Sequence, residues 1–116
     1  MQFDTEIELA FPDIQQGRGG RIKYAPVMAN VEHGLAIHPA MWPDGRLDPQ
    51  WYTLTHVGTG RAILSTMALE RLVRARGELA ALPVVWCQYP NGFTISVMKS
   101  IIEIRDRYIE EEEPTE

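Results

Sequence analysis

Two runs of strand-forming residues, Trp51–Val57 and Arg61–Leu64, are separated only by Gly58-Thr59-Gly60. A parallel crossover needs a dozen or more residues, so these two segments can pair only as an antiparallel hairpin. The first run, WYTLTHV, is dominated by aromatic, threonine and β-branched side chains, which suit a pleated, half-buried surface. A second segment sets the same rule at the other end of the chain. In Phe3-Asp4-Thr5-Glu6-Ile7-Glu8-Leu9 the carboxylates alternate with Phe3, Thr5, Ile7 and Leu9. That period of two predicts a strand with one dry and one wet face, ended by Pro12 and Asp13.

The remaining segments follow from turn chemistry. Gln15–Arg21 (QQGRGGR) reads as a connection. Ile22–Val27 reads as a second strand, with Pro26 marking an edge or a bulge. Asn30–Gly34 holds a turn, and Gly34–His38 a third strand. Pro39–Pro49, with three prolines and the pair Asp44-Gly45, reads as a long stiff loop. Ser65 or Thr66 is placed to cap a helix running to about Arg76, where Gly77 ends its first part. Leu69, Leu72 and Val73 form its apolar stripe, Leu79 and Leu82 continue it, and Glu70 and Arg74 stand four residues apart. Val84–Tyr89 is β-rich. Asn91-Gly92 then signals a hairpin into Phe93–Val97, with the competing reading that the last helix extends back to Thr94 or Ile95. Ser100 and Glu103 have capping-box spacing, predicting a final helix over 101–111 whose stripe is Ile101, Ile104 and Tyr108.

Strands joined by short turns, interrupted by two helices, predict an α+β domain: an antiparallel sheet of about five to seven short strands with two helices on one face. The 116 residues make one domain, expected over 1–113, with a disordered acidic tail at 114–116. Of these residues 45% are hydrophobic and 23% charged, a globular balance that argues against intrinsic disorder. No apolar run is long enough to cross a membrane, and Met1–Leu9 has no basic signal-peptide region. Cys87 is the single cysteine, which fits a reducing, cytoplasmic setting.

Candidate chemistry is sparse. His33, His38 and His56 show no metal-ligand spacing, so a metal site, or a Cys–His nucleophile, would need His38, His56 and Cys87 to converge in space. Gly58-Thr59-Gly60-Arg61 lacks the full phosphate-loop pattern and joins two strands rather than a strand and a helix. No cofactor is implied. The net charge of −5 repels nucleic acid at long range. An alternative nevertheless places a single strand against the basic arm Arg18, Arg21 and Lys23, supported by Arg71, Arg74 and Arg76 and by the aromatics Tyr24, Trp51 and Tyr52. Trp86 and one face of the Trp51 strand read as core. Met41 and Trp42, in the proline-bounded loop with Asp44 and Arg46, either fold back over the core or form the anchor for a protein partner, since tryptophan is enriched at binding hot spots. Homodimerisation through a strand edge is a further option.

The stretch Gly34-Leu35-Ala36-Ile37-His38-Pro39 leading to Trp51–Gly60 resembles segments of small uncharacterised phage and prophage proteins. The likeness spans residues 34–60 and rests on strand and turn positions. It implies an accessory protein that binds host or phage macromolecules, of the size and charge of anti-defence inhibitors such as anti-CRISPR proteins. The residues themselves predict a non-enzymatic binding protein acting through protein–protein contacts. The rivals are a single-stranded nucleic-acid binder and a small metal- or Cys/His-dependent enzyme.

Overall fold

The computed structural model describes residues 1–12, 22–42, 44–83, 86 and 95–112. Five strands follow in order: β1 (Thr5–Pro12), β2 (Ile22–Glu32), β3 (Leu35–Met41), β4 (Leu47–His56) and β5 (Arg61–Thr66). Helices α1 (Leu69–Ala80) and α2 (Ile95–Glu112) come after them. Every neighbouring pair is antiparallel and the sheet order is β1-β2-β3-β4-β5. The fold is therefore α+β with an antiparallel sheet, as expected, and the strands follow one another in meander order. The connection expected at 15–21, the Asn91-Gly92 turn, Cys87 and the tail at 114–116 lie outside the described residues, as does the strand expected over 84–89 apart from Trp86.

The sheet curls. At one end the Ala10 N–H donates to the Gly60 carbonyl at 2.8 Å, bringing β1 against the β4–β5 turn. At the other, β2 and β3 are paired only over Asn30–Glu32 and Leu35–Ile37, and then part. The period of two assigns the faces. Ile7, Leu9, Val27, Ala29 and Ala36 fill the inside of the curl, with Phe11, Val31, Met41 and Val57 packed against them. Leu35, Ile37, Leu54 and Leu64 point outward beneath the helices, where they meet Leu72, Leu79, Trp86, Ile101, Ile104 and Tyr108. Glu6 and Glu8 are exposed on the outer side of the β1–β2 ribbon, opposite Met28 and Pro26.

Four expected element boundaries are corrected. Most of Pro39–Pro49 is strand, and the loop is only 42–46. Ser65 and Thr66 belong to β5; Thr66 is buried and faces Tyr52, so α1 begins later, at an Ala68 N-cap with no side-chain cap. α1 continues through Gly77, and its buried face is Leu72, Ala75, Arg76 and Leu79, leaving Val73 exposed. α2 begins at Ile95, so 95–97 is helix rather than strand. Ser100 is then interior to α2, and its hydroxyl donates to the Ser96 carbonyl at 3.2 Å rather than capping. Phe3 also leaves the β1 alternation, stacking on Tyr52 with ring centroids 6.2 Å apart.

Gly77 weakens α1 without serving its packing. A methyl group built there meets nothing within 4 Å. Gly77→Ala should raise the folding free energy by about 0.5–1 kcal/mol, measured by urea titration.

The arginines of α1 are spent on the fold. Arg71 donates to the Tyr108 carbonyl at 3.1 Å, and Arg74 lies 5.8 Å from the Tyr108 ring centroid. Arg76 is buried and reaches β2, where it pairs with Glu32 at 2.6 Å and donates to the Asn30 backbone and side-chain oxygens. The Tyr108 hydroxyl donates to Glu78, which also pairs with Arg107 at 2.8 Å. Burial, and then that bond to Glu78, raise the Tyr108 pKa to about 12.

Candidate functional site

Residues 42–46 form a small closed turn at one end of the curl. The Trp42 N–H donates to the Arg46 carbonyl and the Gly45 N–H to the Trp42 carbonyl, both at 2.8 Å. Gly45 supplies a φ of 93°, which a side chain would resist. Asp44 accepts from the Arg46 backbone N–H at 3.0 Å and from the Arg46 side chain at 2.7 Å. The backbone N–H of Arg46 holds the Asp44 carboxyl below its ordinary pKa; desolvation opposes the shift, and the Arg46 guanidinium adds to it. Asp44 and Arg46 thus brace the turn by satisfying one another. The turn they brace holds Trp42 outward, 53% exposed.

Trp42 has company. A groove of about 380 Å³ is lined by Ala40, Met41, Trp42, Asp48, Trp51 and Ser65. A second groove, about 490 Å³, follows the split between β2 and β3 and shares Met41; Met28, Pro39, Leu47 and Glu6 are among its walls. Leu47, Met28 and Trp51 are all exposed. Of the four residues expected to contact a partner, Met41 and Trp42 therefore line an apolar surface, while Asp44 and Arg46, both exposed, brace the turn that carries Trp42. Leu47 is not singled out by the sequence, which places Trp51 on a core strand or a nucleic-acid stacking surface rather than in this groove. Trp51 shares the β4 face of Thr53 and Thr55 but lies in mid-strand, where the pairing of β4 with β3 is interrupted between Asp48 and Tyr52.

Below the first groove, inside the curl, lies a cavity of about 190 Å³. The two share Ala40, Met41 and Ser65 as walls. One side of the cavity is apolar, from Leu9, Phe11 and Met41; the other carries His38, Thr53, Thr55 and Ser65. His38 Nδ1 is 2.7 Å from the Pro39 carbonyl, which can only accept, so Nδ1 carries the proton. Nε2, 2.8 Å from Thr55 Oγ1, then accepts from that hydroxyl. Thr53 and Ser65, opposite one another across β4 and β5, share a hydrogen bond of 2.9 Å.

Burial pushes the His38 pKa below its ordinary 6.5, outweighing the Pro39 carbonyl, which acts in the opposite direction. The unfolded chain therefore binds the proton more readily than the folded one. The stabilisation from neutral His38 should be complete above pH 6.5 and lost as the pH falls from there through the folded-state value. Folding free energies measured across this range should show that decline, and His38→Gln should flatten it.

The three candidate metal ligands do not assemble. His38 pairs with Thr53 and faces the cavity, whereas His56 pairs with Leu35 and faces the helices. The register puts the two imidazoles on opposite sides of one sheet. His56 Nε2–H donates to the Trp86 carbonyl at 2.8 Å, while Nδ1 accepts from Thr59 at 3.0 Å. Cys87 lies outside the described residues. Among the described residues no group of three or more His, Cys, Asp or Glu is placed to hold a metal ion.

Of the basic arm, Lys23 is exposed on β2, and Arg18 and Arg21 lie outside the described residues. Arg71 and Arg76, which were to support it, point into the protein instead, and Arg74 lies over Tyr108. Tyr24 is 54% exposed, but Tyr52 is half-buried against Phe3. No helix among the described residues is long and apolar enough to cross a membrane. In comparisons with known proteins, the chain matches no family model, no curated protein and no solved structure.

Proposed function

We propose that this chain is a small binding protein that recognises a protein partner through the surface around Trp42 and Trp51. The observation that carries the reading is the braced turn: a hydrogen-bonded loop and an Asp44–Arg46 pair hold a half-exposed tryptophan over an apolar groove. Leaving such a side chain in water forgoes a large burial free energy, and covering it on binding recovers that energy at little ordering cost. The groove rims are acidic. Glu6 and Asp48 border the two grooves and have no ion-pair partner among the described residues, and the whole chain carries −5. The partner that fits is a protein segment with an aromatic anchor flanked by basic residues.

Trp42→Ala should weaken capture of that partner at least tenfold, the loss of a hot-spot side chain, while leaving thermal unfolding nearly unchanged because Trp42 packs little core. Binding of wild-type and variant protein to immobilised partner, with a melting curve for each, checks this. Equal recovery of every partner by both proteins would overturn the role given to the loop.

A further inference from the structure

The cavity beneath the groove has more hydrogen-bonding capacity than its own walls use. Thr53 and Ser65 contribute two hydroxyl hydrogens but share a single bond, so one O–H remains available to an incoming acceptor. Thr55 donates to His38 Nε2, which leaves its oxygen able to accept. The cavity thus presents one donor and one acceptor on the β3–β5 wall, facing an apolar wall of Leu9, Phe11 and Met41. None of its lining residues is an Asp, Glu, Lys or Arg. An ion would enter without a counter-charge and lose part of its hydration against the apolar wall, which is costly. An apolar cavity of about 150 Å³ accepts a benzene ring; this one, about 190 Å³, has room for a ring with a small polar substituent.

We propose that the cavity binds a neutral phenol ring, its hydroxyl donating to Thr55 and accepting from the Thr53–Ser65 pair. Ser65 lines both the cavity and the groove, so the ring enters between Trp42 and Trp51. The inference deepens the partner-binding reading and rests on it for the route of entry: the phenol is either the tyrosine of a bound protein segment or a free aromatic alcohol. One chemistry serves both, and the cavity reads only the ring and its hydroxyl.

The probes are p-cresol, toluene and p-toluate, titrated into the full chain and followed by calorimetry. p-Cresol should bind roughly tenfold or more tighter than toluene, the margin that a donated and an accepted hydrogen bond supply over none. p-Toluate, carrying a charge, should not bind. The double variant Thr53→Val with Ser65→Ala should reduce the p-cresol advantage at least several-fold and leave toluene affinity unchanged, a pattern that general loosening of the fold would not give. Retained toluene binding also shows that the variant is folded. A lysine-flanked tyrosyl peptide competing with p-cresol, and outperforming its phenylalanyl counterpart, identifies a protein side chain as the source; p-cresol binding without such competition identifies a free aromatic alcohol. Equal affinity for p-cresol and toluene, binding of p-toluate, or an undiminished p-cresol advantage in the double variant would overturn the inference. A Trp42-dependent partner recovered in the absence of any p-cresol binding would overturn it too, and would leave the partner-binding reading standing.

Discussion

Gly60→Ala is expected to lower the folding free energy by about 2–5 kcal/mol, combining a left-handed backbone with overpacking. Gly60 has φ 70°, and a Cβ there would stand 2.7 Å from the Glu8 carbonyl oxygen and 2.9 Å from the Ala10 nitrogen. Both are backbone atoms of β1, so neither can swing away as a side-chain tip would. The only relief is to move β1 off the β4–β5 turn, which breaks the Ala10–Gly60 hydrogen bond that closes the curl. Gly45 is the internal control. It has φ 93°, yet a Cβ there meets nothing within 4 Å, so Gly45→Ala should cost only the conformational part, about 1–2 kcal/mol. Guanidinium denaturation of the two variants separates strain from collision. Equal losses would mean that β1 is not seated against the turn.

Arg76→Ala should cost about 2–4 kcal/mol, most of it from hydrogen bonds rather than from the ion pair. The Arg76 side chain is only 5% exposed, whereas that of Glu32 is 60% exposed. Removing the guanidinium strips both Asn30 oxygens of their donor in a partly buried setting and empties the space under α1. Removing Glu32 instead leaves Arg76 with its Asn30 contacts and a carboxylate site already open to water. Glu32→Ala should therefore cost under about 1 kcal/mol, the range of exposed ion pairs. Arg76→Met, which keeps the stem but not the donors, should fall between the two. Chemical denaturation at neutral pH orders the three, and a Glu32→Ala loss as large as that of Arg76→Ala would show the pair itself to be dominant.

The same arginine shows where sequence reading succeeds and where it stops. A period of two placed β1, because half-burial against one core imposes alternation on a strand, and the strand-forming run from Trp51 placed the second half of β4. The prolines misled. Pro39 and Pro49 read as loop residues, yet both lie in strands where the ladder is incomplete: β3 has left β2 after Ile37, and β4 is irregular between Asp48 and Tyr52. A missing N–H is tolerable where a neighbour is missing too. Pro26 was rightly read as an edge signal, since β3 does not reach that part of β2. Ile95 and Val97 fit a strand as well as a helix, and the choice was settled by the stripe Val97, Ile101, Ile104 and Tyr108, which only a helix keeps on one side. Ser65 and Thr66 look like caps, but their hydroxyl-bearing side chains are occupied in β5. Arg76 was read as one of a basic series because composition cannot show that Asn30 and Glu32 wait opposite it, 46 and 44 residues away in sequence.

The site was legible in part. Trp42 and Met41 stood out because large apolar side chains in a proline-bounded segment are costly to leave in water. Asp44 was legible as half of the turn pair Asp44-Gly45; that Arg46 closes the turn onto it was not. The cavity could not be read at all. Its wall comes from alternate positions of three strands, and only the register brings Thr53, Thr55, Ser65 and His38 together.

The central claim, that recognition takes place at the mouth formed by Trp42 and Trp51, can be put to the three indole N–H resonances of the 116-residue chain. Trp86 is the built-in reference, since it is buried and its indole donates to the Leu79 carbonyl at 3.0 Å on the far side of the sheet. On titration with a peptide carrying one tyrosine between lysine pairs, the Trp42 and Trp51 signals should shift together and saturate while that of Trp86 stays in place. A saturable shift of Trp86 with Trp42 and Trp51 unmoved would contradict the account.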